Sequence, residues 1–211
     1  MTAKRALIRR TTAVAAAATA ALVLAACGGN NDNGSAHNGH DAGATATATG
    51  SGPAQQGENN AADTAFAKGM IPHHRQAIEM ADLAPTRAES PEIKRLADEI
   101  KKAQDPEIKT LSGWLTAWRE QVPAEGAMDH SAHGTGGMMT PEEMDNLKKA
   151  SGKAFDTAFL QLMVKHHEGA VAMAKTEQAD GKYQPAKDMA GAIITSQSAE
   201  IAQMNKLLGK S

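Results

Sequence analysis

The stretch Asp63-Thr64-Ala65-Phe66-Ala67-Lys68-Gly69-Met70-Ile71-Pro72-His73-His74-Arg75-Gln76-Ala77-Ile78-Glu79-Met80-Ala81 decides the fold, because it occurs twice. Displaced by 93 positions (156 − 63), it falls on Asp156-Thr157-Ala158-Phe159-Leu160-Gln161-Leu162-Met163-Val164-Lys165-His166-His167-Glu168-Gly169-Ala170-Val171-Ala172-Met173-Ala174. The aspartate, the Thr-Ala-Phe that follows, both histidine doublets and two methionines coincide. Further on, Ala97, Ile100, Gln104, Glu107 and Ile108 fall on Ala190, Ile193, Gln197, Glu200 and Ile201 with no gap. A register held this long is an internal duplication.

Each half reads as two helices. Asp63 is placed to cap a helix over residues 63–84, and Asp156 has the same place in the second half. Pro85 and the start signal Ser90-Pro91-Glu92 bracket a turn. A second helix over residues 91–121 carries Ile93, Leu96, Ile100, Ile108, Leu111 and Leu115 at mostly helical spacing. Thr140-Pro141-Glu142-Glu143 is a capping box that opens a short extra helix, ended by Ser151-Gly152. A long helix over residues 153–178 and a last one over 184–208 complete the pattern. Two helical hairpins, each with an apolar stripe, must bury those stripes against one another. The expected fold is all-α, a ferritin-like four-helix bundle with pseudo-twofold symmetry. Pro72 lies inside the first helix, which predicts a kink or bulge just before the histidines.

Composition supports helices. Aromatic residues make up 3% of the 211-residue chain, while Ala, Leu, Met, Lys and Glu are plentiful. The single cysteine, Cys27, excludes an intrachain disulfide framework or thiolate cluster. Lys4, Arg5, Arg9 and Arg10 precede an apolar run over residues 11–26, which is too short to span a bilayer. That run ends in Leu24-Ala25-Ala26-Cys27, which is similar to a bacterial lipobox. The reading is a signal peptide over residues 1–26, a diacylglyceryl anchor on Cys27 and export to the outer face of a membrane. Removing the leader changes 22 Lys/Arg to 18 against 24 Asp/Glu, a net charge of −6. Such a chain is a poor nucleic-acid binder. Residues 27–61 are mostly Gly, Asn, Ala, Thr and Ser and read as a flexible tether reaching roughly 30 Å. The bundle domain then covers residues 62–211, with repeats over about 62–121 and 155–211 and a connector over 122–154.

The chemistry follows the repeat. All eight histidines are paired: His37 with His40, His73 with His74, His130 with His133, and His166 with His167. Met70, His73, His74, Ala77 and Met80 share one helical stripe, and Met163, His166, His167, Ala170 and Met173 form its twin. A methionine stripe ordinarily fills a core. Repeated with a histidine doublet each time, it points to a metal site where the two stripes meet. Thioether sulfur with imidazole nitrogen suits copper, Cu(I) above all. Met128, His130, His133, Met138 and Met139 form a second, auxiliary cluster in the connector. One histidine of each doublet is expected to turn toward a carboxylate or solvent; Glu107 and Glu200, which recur in the repeat, are either outer partners of the histidines or solvated surface residues. A di-iron oxidase needs Glu-x-x-His spacing, and no glutamate precedes a helical histidine by three.

The lipobox, the duplicated Asp-x-x-Phe-x-x-x-Met-x-x-His-His-x-x-Ala-x-x-Met-Ala, and the connector ending Met138-Met139-Thr140-Pro141-Glu142-Glu143-Met144 resemble the bacterial family called domain of unknown function 305. The resemblance spans residues 63–208. Ala67, where the other repeat has Leu160, departs from the pattern only in packing. It implies a ferritin-like bundle, exported or lipid-anchored, with some members binding copper or conferring copper resistance. The ligands it implies are Met70, His73, His74, Met80, Met163, His166, His167 and Met173. The expected function is copper binding outside the cytoplasm for buffering, resistance or delivery to a copper-accepting protein. No catalytic constellation is evident. A di-iron or copper oxidase and a metal-free protein-interaction module are the alternatives.

Overall fold

The computed structural model describes residues 57–126 and 136–210. Five helices follow in chain order: α1 (Ala61–Arg87), α2 (Pro91–Ala117), α3 (Pro141–Lys149), α4 (Gly152–Asp180) and α5 (Gln184–Leu207). Helix α1 packs on α2 and α4 packs on α5, which gives the two hairpins of the repeat. The hairpins join along α1 and α4, and the short α3 touches both of these. Among the described residues there is no strand, so the fold is the expected all-α bundle with one extra short helix. None of these helices is long and apolar enough to cross a membrane.

The helix starts are set by local chemistry. Ser90 caps α2 by accepting from the Glu92 amide at 3.1 Å, with Pro91 in the first turn. Thr140 and Glu143 close the capping box of α3 in both directions. Two expectations need correction. Asp63 is not the cap of α1; Asn60 is, and Asp63 is the third residue of the helix, completing a capping box. Asp156 is not a cap either, because α4 begins about one turn earlier, at Gly152.

Both aspartates instead reach across to the other hairpin. The Asp63 carboxylate accepts from the amides of Lys182 and Tyr183, at the start of α5. The Asp156 carboxylate accepts from the amides of Glu89 and Ser90, at the start of α2. Positions 89 and 90 become 182 and 183 when shifted by 93, so the exchange obeys the repeat. Each first helix orders the start of the other half's second helix.

Helix ends differ from expectation at two places. Helix α1 continues past Pro85 to Arg87 and runs unbroken through Pro72. A proline near the end frees only one carbonyl, and Ala88 N–H still closes the last turn on the Ala84 carbonyl at 3.0 Å. Helix α2 stops at Ala117 instead of near Gln121, because Arg119 adopts a left-handed conformation with φ 61°. The Arg119 and Glu120 amides then turn back to the Thr116 and Leu115 carbonyls at 3.1 and 2.8 Å.

The core falls into two apolar clusters. One gathers Met80 and Ala84 of α1 with Leu96 and Ile100 of α2, Phe155, Phe159 and Met163 of α4, and Met204 of α5. The other gathers Phe66 and Met70 of α1 with Leu111 and Leu115 of α2, Ala170 and Ala174 of α4, and Tyr183 and Ile193 of α5. The start of α1 therefore lies beside the end of α4, an antiparallel pair. Neither cluster contains the residues at the midpoints of α1 and α4, which are the histidine doublets.

Candidate metal centre

All four helical histidines are buried, none more than 2% exposed. They form a polar layer in an otherwise apolar bundle. His73 of α1 and His166 of α4 meet with ring centroids 3.7 Å apart and planes tilted by 43°. These two are repeat equivalents, so the pseudo-twofold axis passes between them. His74 and His167 turn the other way. His74 Nε2 lies 2.6 Å from Glu107 Oε2 of α2, and His167 Nε2 lies 2.6 Å from Glu200 Oε2 of α5. Adjacent residues on a helix are about 100° apart, so one doublet serves two directions. The repeat thus gives an inner histidine pair and two outer histidine–glutamate pairs, and both expected carboxylate partners are in contact.

The hydrogen bonds fix which ring nitrogens are left over. With Nε2 engaged by a glutamate, His74 and His167 each leave Nδ1 over. His73 Nε2 donates to the Gly136 carbonyl at 3.3 Å, which leaves its lone pair at Nδ1 as well. Among the described residues, Nδ1 of His73, His74 and His167 and both ring nitrogens of His166 have no hydrogen-bond partner. A buried polar atom without a partner costs about 1–3 kcal/mol, so five in one layer require a reason. Lone pairs on neutral imidazoles are what a metal ion takes up.

Electrostatics keeps the inner pair neutral. Burial, followed by the neighbouring His74, pushes the His73 imidazole down to about 3. Burial, followed by His73, pushes His166 well below its ordinary value. Neither ring must lose a proton before binding a metal at neutral pH.

The methionines flank this layer. Met80 and Met163 are buried in one apolar cluster, and Met70 is buried in the other, where Met173 packs partly exposed. The Met173 sulfur is the atom nearest Gly69 of α1, 3.5 Å from where a Cβ would stand. Among the described residues no three His, Cys, Asp or Glu side chains are grouped so as to hold a metal ion. The imidazoles of His73 and His166 are the pair that this layer brings against one another.

Of the connector cluster, Met139 is buried in the same apolar cluster as Met144 and Met163, and Met138 edges a small surface hollow with Pro72, Arg75 and Gly126. Met128, His130 and His133 lie outside the described residues, as do Cys27, His37 and His40. Two buried amides are absent from the ligands expected from the sequence. Gln104 and Gln197 are 2% and 3% exposed, with Oε1 unpartnered among the described residues. Their signal was their recurrence in the repeat three residues before Glu107 and Glu200.

Comparison with known proteins gives one family and several structures. The model of the family described as domain of unknown function (DUF305) matches residues 63–208. A DUF305 protein from Streptomyces coelicolor, described as secreted, is 35% identical with TM-score 0.64, covering 70% of this chain and 91% of its own. CopM in its Cu(I)-bound form is 36% identical with TM-score 0.58, covering 69% of this chain and 94% of its own. In its Cu(II)-bound form it is 38% identical with TM-score 0.60 over the same shares. CopM is also solved with silver. No curated protein matches.

Proposed function

The chain belongs to the family described as domain of unknown function (DUF305), and from that premise we propose that it is an extracytoplasmic copper-binding protein. It holds Cu(I) where α1 meets α4 and serves buffering, resistance or delivery. The observation that carries this reading is the buried layer of four histidines with five ring nitrogens unpartnered among the described residues, flanked by methionines. Soft sulfur and borderline nitrogen together suit Cu(I). That CopM, similar over the same bundle, is solved with Cu(I), Cu(II) and silver supports the same chemistry. The leader over residues 1–26, followed by Cys27, supports export with a lipid anchor, and the relative described as secreted agrees with a place outside the cytoplasm.

The protein acts as a carrier in this reading, not as an enzyme. Thioether ligands exchange readily, which suits transfer to a copper-accepting partner. A di-iron oxidase is disfavoured, because the described residues group no three His, Cys, Asp or Glu side chains.

The test is Cu(I) titration of the protein against a competing chelator, compared with the double variant His73→Gln, His166→Gln. The expected result is an affinity loss of roughly 100-fold or more with helix content retained. Equal affinity in both proteins would remove copper from this layer.

A further inference from the structure

Residues 136–139 cross the groove between α1 and α4 directly over the inner histidines. We propose that this strap is a gate to the histidine layer, latched by Gln76 and seated on Gly169.

Four observations place it there. Gln76, 2% exposed, donates from Nε2 to the Met139 carbonyl at 2.9 Å and accepts from the Met139 amide at 2.6 Å. The Gly136 carbonyl lies 3.3 Å from His73 Nε2. A Cβ at Gly169 would overlap the Gly136 carbonyl, so only glycine lets the strap seat on α4. Gly137 has φ +84°, and a Cβ there would overlap the Lys165 carbonyl.

The repeat adds an independent argument. Gln76 and Gly169 are the same repeat position (169 − 93 = 76), and they differ. One copy grips the strap, while the other makes room for it. A duplication that places like residues in both histidine layers thus breaks its symmetry where the strap crosses.

The strap is suited to move. Its buried end is held by side-chain hydrogen bonds instead of a helix ladder, and two adjacent glycines give it freedom on the other side. Beyond it, Thr140 caps α3, so opening can stop at a helix start. His73 contacts the strap at the Gly136 carbonyl and the His166 ring lies against His73, whereas His74 and His167 face Glu107 and Glu200. Opening therefore exposes His73 and His166 selectively. As a gate to the histidines the proposal stands on geometry alone; as a gate for copper it rests on the function proposed above.

The test is diethylpyrocarbonate modification of the metal-free protein, with each histidine followed by tandem mass spectrometry. Gln76→Met removes the latch, and Gly169→Ala unseats the strap from the opposite side. In each variant His73 and His166 should react roughly tenfold faster, as expected for losing hydrogen bonds that hold the closed state. His74 and His167 serve as the internal reference and should change little. Unchanged rates at the inner pair in both variants would overturn the gate. Equal acceleration at all four histidines would overturn it too, because that reports general loosening. Cu(I) release to a chelator, measured on the same variants, separates the two claims. Faster release accompanying faster modification supports both. Selective modification in a protein that takes up no copper keeps the gate and removes the copper reading.

Discussion

At the residue scale, the histidine doublet divides its labour by direction. His73 and His166 pair at the axis, and His74 and His167 are oriented by glutamates. If Glu107 and Glu200 act by fixing ring orientation, Glu107→Gln with Glu200→Gln should weaken Cu(I) binding roughly 10- to 100-fold while leaving the helical signal intact. A competition titration beside circular dichroism checks this. The inner pair also sets an acid limit. His73 stands at about 3 when folded against 6.5 otherwise, and His166 is lowered as well. A lowered histidine makes the unfolded chain bind more protons, so stability is lost as pH falls below 6.5. Glu177 acts in the opposite sense. Burial, then the neighbouring Asp63, push it up to about 8 from 4.5, so its contribution is lost as pH rises between those values. Denaturant melts of the metal-free protein should therefore show stability rising from pH 3, then falling between pH 6.5 and 8. Glu177→Gln should remove the fall, and a decline of equal size in that variant would refute its cause.

At the element scale, the aspartate exchange ties the two halves together. Asp63 is fully buried and accepts from three backbone amides, those of Asn60, Lys182 and Tyr183. Asp156 is half-buried and accepts from two, those of Glu89 and Ser90. Each buried amide left without an acceptor costs about 1–3 kcal/mol. Asp63→Ala should destabilise the bundle by about 3 kcal/mol or more, and Asp156→Ala by less; thermal or denaturant unfolding of both variants checks the order. This exchange is not legible in the sequence. An aspartate just ahead of an apolar periodic run looks like a cap, and nothing local distinguishes a cap from a cross-hairpin clamp whose partner lies 120 residues away. The capping box at Thr140 is legible, because both of its partners lie within one turn. The end of α2 is not, because Arg119 takes a conformation that glycine usually marks.

At the scale of the whole molecule, the duplication explains most of the structure. Its register places like side chains at equivalent points of two hairpins, so the meeting of the two histidine stripes is legible in the repeat itself. Which histidine of each doublet faces inward is not, since that depends on how α1 is rotated against α4, and packing decides it. The strap is hidden for a related reason. Its signal is a difference between repeats, glutamine at 76 against glycine at 169, and a search for similarity passes over it. The central claim is that copper sits between the halves, held by residues of both. X-ray absorption at the copper edge, on the Cu(I)-loaded protein and on the His73→Gln, His166→Gln variant, tests this directly. The account predicts a mixed shell of imidazole nitrogen and thioether sulfur in the parent. In the variant, that nitrogen contribution, or the copper itself, should be lost. The same mixed shell in both proteins would contradict the claim.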